Sequence, residues 1–535
     1  MNKTSLTLLA ITLVLCFLIS PFVSVAQAHV PGVEFRLGSE VLFDSPRYYN
    51  LIKGKRIGLV TNQTGVDSQG ISTVVRLASD PSVRLAALFC PEHGLDGTAP
   101  AGSNVKSYTH PTLNIPVYSL YGSTRKPTSD MLQNVDVLVL DIQDVGARWY
   151  TYISTLNYVM EAAGSCGKPV IVLDRPDPLG GEIVEGPVLE DRLKTFVGVD
   201  NIPMAHGMTV GELARFFNRP ANGFNTDLTV VPMQGYTRDM IWQDTGLDWI
   251  PTSPNIPTIE SVFCYMATGL GEGTGVGQRD KFTWVGGLGI DSQRFADLLN
   301  GSNLSGVEYV PDTRGSYGGV KLRITDYRTF NPARSGLYAL AYARQLSSFK
   351  VPKSGSTPTS IVLFDKIMGT DRVGIWLEQK LPPREIEKRY AKELEQFKRE
   401  RQEYLIYGYA GKPGTVSVVV DSVPLFFDSE PYIDENGRTI APIRAIAEAL
   451  GAEVKWDQKR SEVTITNGST VVSMTIGSKI AWIDGQRFVM DTVPVLSNSR
   501  TMVPVRYVSE LLGATVDFEY SIDYGYKTVL ISRQP

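Results

Sequence analysis

Polar side chains that could do chemistry follow four apolar runs in the first third of the chain. The most compact set stands in "LAALFCPEHGLDG", where Glu92 and His93 come directly after an apolar run and a proline. The residues at the four ends that could contact a ligand are Asn62, Glu92, His93, Asp141, Gln143, Asp144, Asp174 and Arg175. Ligands of an open parallel sheet bind outside the carboxyl ends of its strands. The spacing therefore predicts one shared crevice lined by carboxylates, amides, an imidazole and a guanidinium.

Several carboxylates in one crevice are typical of glycoside hydrolysis. That reaction needs an acid that protonates the departing oxygen, and usually a second group that attacks the sugar or activates water. Glu92 fits the acid, and Asp141 and Asp144 are the candidate partners. Strand-end aspartates also cap helices, and for Asp144 this alternative is as good as catalysis. We expect His93 to order Glu92 or a sugar hydroxyl, while His206 either lines the cleft or only precedes a helix.

Two other kinds of chemistry would use the same residues or a nearby loop. A metal hydrolase could be assembled from Glu92, His93, Asp141 and His206, but none of them has the close spacing of metal ligands. The stretch "GLGEGTGVG" (residues 269–277) resembles a dinucleotide loop, but it does not join the first strand of a βαβ unit to its helix. A flexible loop close to substrate, with Glu272 at its tip, is the better interpretation. The sequence thus predicts neither a metal ion nor a cofactor.

The elements that must position these residues alternate between strands and helices. Apolar runs such as "KRIGLV", "VDVLVLDI" and "KPVIVLD" alternate with helical patterns such as "RWYTYISTLNYVMEAAG". This alternation predicts an α/β fold, with a doubly wound, Rossmann-like parallel sheet over residues 34–205. Residues 206–408 are predicted to form an auxiliary α/β subdomain. It contains helices in "MTVGELARFFN" and "PPREIEKRYAKELEQFKRERQEYLIY" and a strand in "TSIVLFDKIMG".

A short linker, residues 409–415, is followed by a module with an internal repeat, residues 416–535. The segment "NGRTIAPIRAIAEALGAEVKWD" is echoed by "NSRTMVPVRYVSELLGATVDFE", and Arg438 and Arg500 lie 62 residues apart. Each copy predicts a short helix that ends at a glycine. The module contains neither His nor Cys, so the usual imidazole and thiolate ligands of copper are absent from it.

The N-terminus and the composition limit the classes of protein to which this chain can belong. Residues 1–28 have an early lysine, an apolar run and Ala26-Gln27-Ala28, which predicts a cleaved signal peptide, a secreted protein and no membrane span afterwards. A net charge of −4 does not indicate the basic surface that is typical of nucleic-acid-binding proteins. The remaining Cys90, Cys166 and Cys264 are too few and too far apart for a disulfide framework. We expect Cys90 and Cys264 to pack as small apolar residues.

The motifs that carry these residues resemble a known family. "NQTG", "FCPEHGLDG", "DVLVLDIQDVGARWYTYI", "VIVLDRPDPLGG", "EGPVLE", "AHGMTVGELA" and "SPNIPT" together are similar to exo-acting β-N-acetylmuramidases of the NamZ type, over about residues 35–407. The resemblance implies release of N-acetylmuramic acid from the non-reducing ends of peptidoglycan fragments, with Glu92 as the catalytic glutamate. It also implies a cleft between the two subdomains. The predicted substrate-binding residues are Asn62, His93, Gln143, Arg148, Tyr150, Asp174, Arg175, His206, Asn255 and Glu272.

The C-terminal module resembles the stalk domains of exported bacterial proteins, which are similar to the N-terminal domain of copper amine oxidases. That resemblance implies a spacer or attachment to the cell wall.

One loop departs from the enzyme family. The family pattern "EGTN-x-S-x-G-R-G-T" is replaced by "EGTGVGQRDKF", so the family's arginine and glycine fall on Asp280 and Lys281. The change would shift substrate preference or weaken activity if this loop grips the substrate. The alternative is therefore a non-catalytic wall-binding protein with a degenerate glycosidase fold.

Overall fold

The computed structural model describes residues 35–408, 416–421, 423–425, 431–434, 438–497, 500–521 and 526–533. The predicted signal peptide and the predicted linker both lie outside these residues. Among the helices described, none is long and apolar enough to cross a membrane.

A seven-stranded sheet organises the first part of the chain. Its strand order is β3-β4-β2-β1-β5-β6-β7, and every neighbouring pair is parallel except β3 with β4. The strands are β1 (Arg56–Thr61), β2 (Arg84–Cys90), β3 (Tyr108–Thr109), β4 (Pro116–Ser119), β5 (Val137–Asp141), β6 (Val170–Leu173) and β7 (Leu228–Val231). The helices of this part are α1 (Gly38–Asp44), α2 (Pro46–Tyr49), α3 (Thr73–Ser79), α4 (Ser129–Leu132), α5 (Thr151–Ser165) and α6 (Val210–Phe217).

Both faces of this sheet are buried, which explains the continuous apolar runs of its strands. Along β5, Leu138 and Leu140 pack into the core beside α5 and α6, whereas Val137 and Val139 pack into a second core beside α1 and α3. The predicted α/β fold with a Rossmann-like sheet is confirmed. The sheet also includes β7, so it continues past residue 205, where the sequence analysis ended the first subdomain.

A second, antiparallel sheet follows, in the order β10-β11-β9-β8. Its strands are β8 (Val276–Arg279), β9 (Trp284–Leu288), β10 (Val307–Pro311) and β11 (Tyr317–Ile324). The helices of this part are α7 (Ile259–Thr268), α8 (Ser292–Asn300), α9 (Pro332–Leu346), α10 (Leu363–Met368), α11 (Arg372–Glu378) and α12 (Pro383–Glu400).

One element prediction in this part is wrong and one is confirmed. The strand predicted in "TSIVLFDKIMG" is the helix α10, because Phe364, Ile367 and Met368 recur at helical spacing and are buried, and Gly369 ends the helix with φ of 78°. Helix α12 is confirmed, and its predicted apolar stripe is buried at Ile386, Tyr390, Leu394 and Phe397.

The described residues of the C-terminal module form three small sheets and two short helices. The helices are α13 (Ile443–Ala449) and α14 (Val505–Leu511). The sheets have the orders β13-β12-β24-β23, β14-β15-β22-β21 and β16-β17-β18-β19-β20.

The first two of these sheets contain β12 (Ser417–Val420), β13 (Val423–Pro424), β14 (Tyr432–Ile433), β15 (Thr439–Pro442), β21 (Val495–Ser497), β22 (Arg500–Pro504), β23 (Ala514–Ser521) and β24 (Tyr526–Arg533). The third contains β16 (Glu453–Asp457), β17 (Glu462–Asn467), β18 (Thr470–Thr475), β19 (Ile480–Ile483) and β20 (Gln486–Val489). The two repeat copies meet where β15 pairs antiparallel with β22. Gly451 and Gly513, just past the two helices, have φ of 84° and 81°, as a C-terminal cap requires.

Candidate active site

A tight turn presents Glu92 at the carboxyl end of β2. The amide of Gly94 donates to the carbonyl of Pro91 over 3.1 Å, which closes the turn. His93 has φ of 72°, a left-handed conformation that is costly for a residue with a side chain. Its ring holds the next loop, because Nδ1 lies 2.7 Å from the carbonyl oxygen of Ala99. His93 therefore links the turn that carries Glu92 to the loop at Ala99, and its predicted contact with Glu92 or a sugar hydroxyl stays a prediction.

The carboxylate of Glu92 is held by two neutral donors. The amide of Gly102 donates to Oε1 over 2.7 Å, and the hydroxyl of Thr151 donates to Oε2 over 2.5 Å. Thr151 is the first residue of α5, and Glu92 keeps 8% of its surface exposed. The carboxylate is thus fixed in direction and keeps a small exposed surface, and both of these donors from the described part of the chain are uncharged.

Aromatic rings surround this carboxylate. Burial raises the pKa of Tyr121, and the nearby charge of Glu92 adds to the rise. Burial also raises the pKa of Tyr152 well above its usual value, with smaller contributions from Tyr150 and Glu92. The rings of Tyr150 and Tyr152 pack edge to face at 4.9 Å. The guanidinium of Arg125 lies 4.0 Å from the centre of the Tyr121 ring. Flat aromatic surfaces beside a carboxylate suit the apolar face of a sugar ring.

Sequence reasoning missed Thr151, Tyr121 and Arg125. Tyr121 follows β4, a four-residue strand that the apolar pattern did not reveal. Thr151 belongs to the segment "RWYTYI". Its position at the start of the predicted helix, close to the end of a strand, could have indicated that it faces the site.

Asp141 lies at the same sheet edge but in a closed environment. Its Oδ1 accepts a hydrogen bond from Nε of Arg175 over 2.6 Å, and its Oδ2 accepts one from Thr73 over 2.5 Å. Asp141 has no exposed surface, and Arg175 is also bound to the carbonyl of Val66. These contacts favour a structural role for both residues over the predicted catalytic and substrate contacts.

Asp174 is closed in the same way. Its Oδ1 accepts from the amide of Gly211 over 2.7 Å, and its Oδ2 accepts from the hydroxyls of Thr209 and Tyr407. Burial raises the pKa of Asp174 to about 7. Asp174 thus joins β6 to the start of α6 and to the chain near residue 407, which favours a structural role for it as well.

Asn62 and Gln143 are tied together by Thr64. The hydroxyl of Thr64 donates to Oδ1 of Asn62 over 2.6 Å and accepts from the amide of Gln143 over 2.9 Å. Nδ2 of Asn62 and Oε1 of Gln143 are buried without a hydrogen-bond partner. Buried polar atoms in native proteins are normally satisfied, so these two amides are suited to a ligand or an ordered water.

A polar cluster of Asp144, His206 and Asp177 lies buried beside Tyr150. The amide of Met208 donates to Nδ1 of His206, so the ring proton is on Nε2, which lies 3.9 Å from Oδ2 of Asp144. Burial lowers the pKa of His206 to about 3 and raises that of Asp144 to about 7. Asp144 accepts from the amide of Gly146 rather than from a helix, so it closes a turn and does not cap α5.

Asp144 keeps Oδ1 without a partner, which leaves its predicted catalytic role a prediction. The hydroxyl of Tyr150 is likewise buried without a hydrogen-bond partner.

Arg148 joins the two parts of the fold through hydrogen bonds. It is fully buried and donates to the carbonyls of Pro187, Ile202 and Ile367. Burial lowers its pKa to about 9. This placement favours a structural role for Arg148 over the predicted contact with substrate.

The described residues contain no group of three or more His, Cys, Asp or Glu side chains that could hold a metal ion. The cysteines that the structure describes are free, and Cys90 and Cys264 are buried in the core, which confirms their expected packing.

Comparisons with known proteins identify the family of the chain. Residues 57–260 match the family described as exo-β-N-acetylmuramidase NamZ, N-terminal, and residues 263–407 match its C-terminal counterpart. The chain is 43% identical over 377 residues to the peptidoglycan β-N-acetylmuramidase NamZ of Bacillus subtilis (strain 168), which covers 68% of this chain and 89% of that protein. The chain belongs to the NamZ family. It is therefore a glycosidase, an exo-β-N-acetylmuramidase.

Solved structures support the same fold. Two crystal structures of DUF1343 family proteins from Bacteroides fragilis NCTC 9343 superpose with TM-scores of 0.62 and 0.52 at 34% and 26% identity. Each alignment covers 70% of this chain, and 100% and 99% of the respective solved chains. Residues 419–522 match the copper amine oxidase N-terminal domain, which confirms the resemblance of the module.

The loop that departs from the NamZ pattern joins α7 to β8 and continues into the β8–β9 turn. It leads from a helix into an antiparallel strand, unlike the strand-to-helix loop of a dinucleotide site. Asp280, Lys281 and Phe282 have successive positive φ values of 52°, 55° and 75°. Nζ of Lys281 donates to Oδ1 of Asn255 over 3.1 Å.

Two predicted substrate contacts, Asn255 and Glu272, are both exposed around this loop. The segment just before Asn255 reaches the Glu92 side of the site, since the hydroxyl of Tyr152 donates to the carbonyl of Thr252. Asn255 therefore stands near the rim of the site. Glu272 has no hydrogen bond or ion pair to another described residue, and its role stays a prediction.

Proposed function

We propose that this chain is a secreted enzyme that releases N-acetylmuramic acid from the non-reducing ends of peptidoglycan fragments. Membership of the NamZ family makes it a peptidoglycan glycosidase. The finer statements are the chain-end specificity and the released sugar. They rest on the name of the Bacillus subtilis relative, a β-N-acetylmuramidase, and on the description of the family as exo-acting.

One observation carries the proposal: the way in which Glu92 is held. Its carboxyl group lies at the open edge of the sheet, in contact with Thr151 and Gly102 and close to the Tyr121 ring. In the reaction, this group donates its proton to the glycosidic oxygen as the bond to the sugar breaks. The two fixed donors keep the carboxyl group pointed at that oxygen.

Recognition of the sugar divides between apolar and charged groups. Tyr121 and Tyr152 are mostly buried aromatic residues near Glu92, and they supply the apolar side of the site. N-acetylmuramic acid carries a lactyl carboxylate, and Arg125 beside Tyr121 and Lys281 beside Asn255 supply positive charge near the site. A guanidinium or ammonium group in such a position selects an anionic sugar over a neutral one.

Export of the protein is part of the proposal. The first 28 residues have the three-part pattern of a signal peptide. The substrate, a cell-wall polymer, is located outside the cytoplasmic membrane.

Product analysis tests the proposal. The purified chain is incubated with peptide-free glycan fragments that begin with either N-acetylmuramic acid or N-acetylglucosamine at the non-reducing end, and products are identified by mass spectrometry. We expect free N-acetylmuramic acid only from the first set, and none with the Glu92→Gln variant. Release of larger fragments by internal cleavage, or of N-acetylglucosamine from the second set, would contradict the proposal.

A further inference from the structure

A small groove opens on the surface of the C-terminal module, outside the residues that match the enzyme family. Its volume is about 210 Å³, below the roughly 300–1,000 Å³ of sites for drug-sized ligands, so it suits a group the size of one sugar ring. Its apolar lining includes the buried Val505 and Val529 together with Tyr507 and Phe518. Phe518 is 49% exposed, which is high for a large aromatic side chain.

Two arginines border this groove and differ in how they are held. Nε of Arg438 donates to Oδ2 of Asp491 over 2.7 Å, so its charge is already paired. Arg506 lies 3.9 Å from the Glu510 carboxylate one helical turn away, and both side chains are about half exposed. A surface pair of this kind contributes little, so the guanidinium of Arg506 is free to bind an incoming anion.

Tyr507 is fixed beside Arg506. Its hydroxyl accepts from the amide of Asp491 over 3.3 Å, and its ring packs edge to face against Phe488 with centroids 5.6 Å apart. The groove therefore combines a held aromatic ring, an exposed aromatic ring and a weakly paired cation.

The internal repeat supplies a natural comparison for this groove. Sixty-two residues earlier, Arg444 and Glu448 form the same loose pair at 3.8 Å, and Trp456, 37% exposed, corresponds to Phe518. The first copy has Ala445 where the second has Tyr507. The second copy thus has an aromatic wall that the first one lacks.

We propose that this groove binds a carboxylate-bearing sugar of the wall glycan, with the sugar ring against Phe518 and Tyr507 and the carboxylate at Arg506. The identity of the polymer rests on the proposed function, because N-acetylmuramic acid is the acidic sugar of peptidoglycan. An enzyme that acts at chain ends gains from a second contact with the interior of the chain, which raises the local concentration of ends. The groove would serve as that second contact.

The test measures, by sedimentation, binding of the full chain to insoluble peptidoglycan that an amidase has partly stripped of its stem peptides, because the muramic carboxylates are free only where those peptides have been removed. All proteins carry Glu92→Gln, so the polymer stays intact and any binding by the catalytic part is common to them all. Arg506→Gln and Phe518→Ala each remove one predicted contact, and Arg444→Gln is the matched control in the first copy. We expect Arg506→Gln to weaken binding about tenfold, as the loss of a hydrogen bond to a charged group does, and Arg444→Gln to leave it unchanged.

Competitors identify the chemistry that is bound. Peptide-free glycan strands, which keep the muramic carboxylates, should release the protein, whereas uncharged chitin oligosaccharides should not. Equal loss in the Arg506 and Arg444 variants, full binding by both groove variants, or release by chitin oligosaccharides would each overturn the proposal. Failure of peptide-free glycan to compete would overturn it too, since the bound carboxylate would then belong to the peptides. Hydrolysis of a chromogenic N-acetylmuramide by the chain with intact Glu92 tests the proposed function separately.

Discussion

Glu92 and Asp141 lie at the same edge of the large sheet, with only β1 between their strands. Their surroundings differ completely. Glu92 accepts hydrogen bonds from an amide and a hydroxyl and keeps some exposed surface, whereas Asp141 is fully buried against the guanidinium of Arg175. The carboxyl group of Glu92 keeps surface that a substrate could contact. Both oxygens of Asp141 are taken up by contacts within the protein, one to the guanidinium of Arg175 and one to the hydroxyl of Thr73.

The difference shows that polar residues at one edge of a sheet have two different roles. Asp141, Asp174 and Arg148 are buried and join distant segments of the chain, and each has at least two partners. Glu92 stands next to His93 in a turn with a left-handed backbone and keeps a small part of its surface exposed. The rigid, buried set holds the edge in place so that one carboxyl group can be presented precisely where a ligand binds.

The largest effect is expected from removing the acid itself. Glu92→Gln keeps the shape and the hydrogen bond from Gly102 but cannot donate a proton to the leaving oxygen, so kcat should fall by about 10²–10⁴-fold. Hydrolysis of a chromogenic N-acetylmuramide measures kcat, and thermal unfolding provides the control for folding. If this variant keeps most of its activity, the general acid is a residue other than Glu92.

Asp141→Asn should produce the opposite pattern. Loss of this carboxylate leaves the buried Arg175 without its charge partner, which costs about 3–5 kcal/mol of unfolding free energy. Chemical denaturation measures that loss, and kcat of the fraction that remains folded should change far less than in the Glu92 variant. A stable Asp141 variant without activity would instead assign Asp141 to catalysis, as the sequence predicted.

Thr151 sharpens the comparison, because its hydroxyl holds the carboxyl group of Glu92 and has no proposed part in the reaction itself. Thr151→Val keeps the size of the side chain but removes the donor to Oε2, a hydrogen bond with a net contribution of about 0.5–1.5 kcal/mol. We expect kcat to fall about tenfold with little change in KM, and Thr151→Ser to restore it. If Ser and Val behave alike, the hydroxyl does not position Glu92.

Much of this edge could be predicted from the sequence, because continuous apolar runs identify buried parallel strands and their carboxyl ends must lie together. Glu92, Asp141 and Asp174 were all expected there. The apolar pattern could not distinguish the partly exposed Glu92 from the buried Asp141, because the pairing of Asp141 with Arg175 depends on how two loops meet in space. Tyr121 was missed because β4 has only four residues, too few for a periodic signal. The helix α10 was predicted as a strand because the short apolar run at residues 361–364 fits both periods.

The buried cluster around Asp144 predicts a pH dependence of stability. Burial raises the pKa of Asp144 to about 7 from an ordinary 3.8, so the folded chain holds a proton that the unfolded chain releases. This contribution is complete below about pH 4 and is lost as the pH rises to about 7. The lowered pKa of the neighbouring His206 contributes in the opposite direction, so Asp144→Asn should make the midpoint of thermal unfolding fall less, or rise more, between pH 4 and 7 than in the unchanged chain. Burial also raises the pKa of Asp174 and Asp177, and a profile that does not change would assign the loss of stability with rising pH to these two carboxyl groups.

The smallest effect is expected at the loop that departs from the family. Lys281 is exposed, and its contact with Asn255 belongs to the class of surface interactions worth about 0.2–1 kcal/mol, so Lys281→Met should raise KM for an N-acetylmuramide by at most about fivefold. Lys281→Gly, the residue type that the family pattern has here, also removes the charge but relieves the left-handed backbone at φ of 55°. If charge matters, both variants raise KM alike. If only the backbone matters, the glycine variant gains about 1–2 kcal/mol of stability and KM stays the same in both, which would remove Lys281 from substrate recognition.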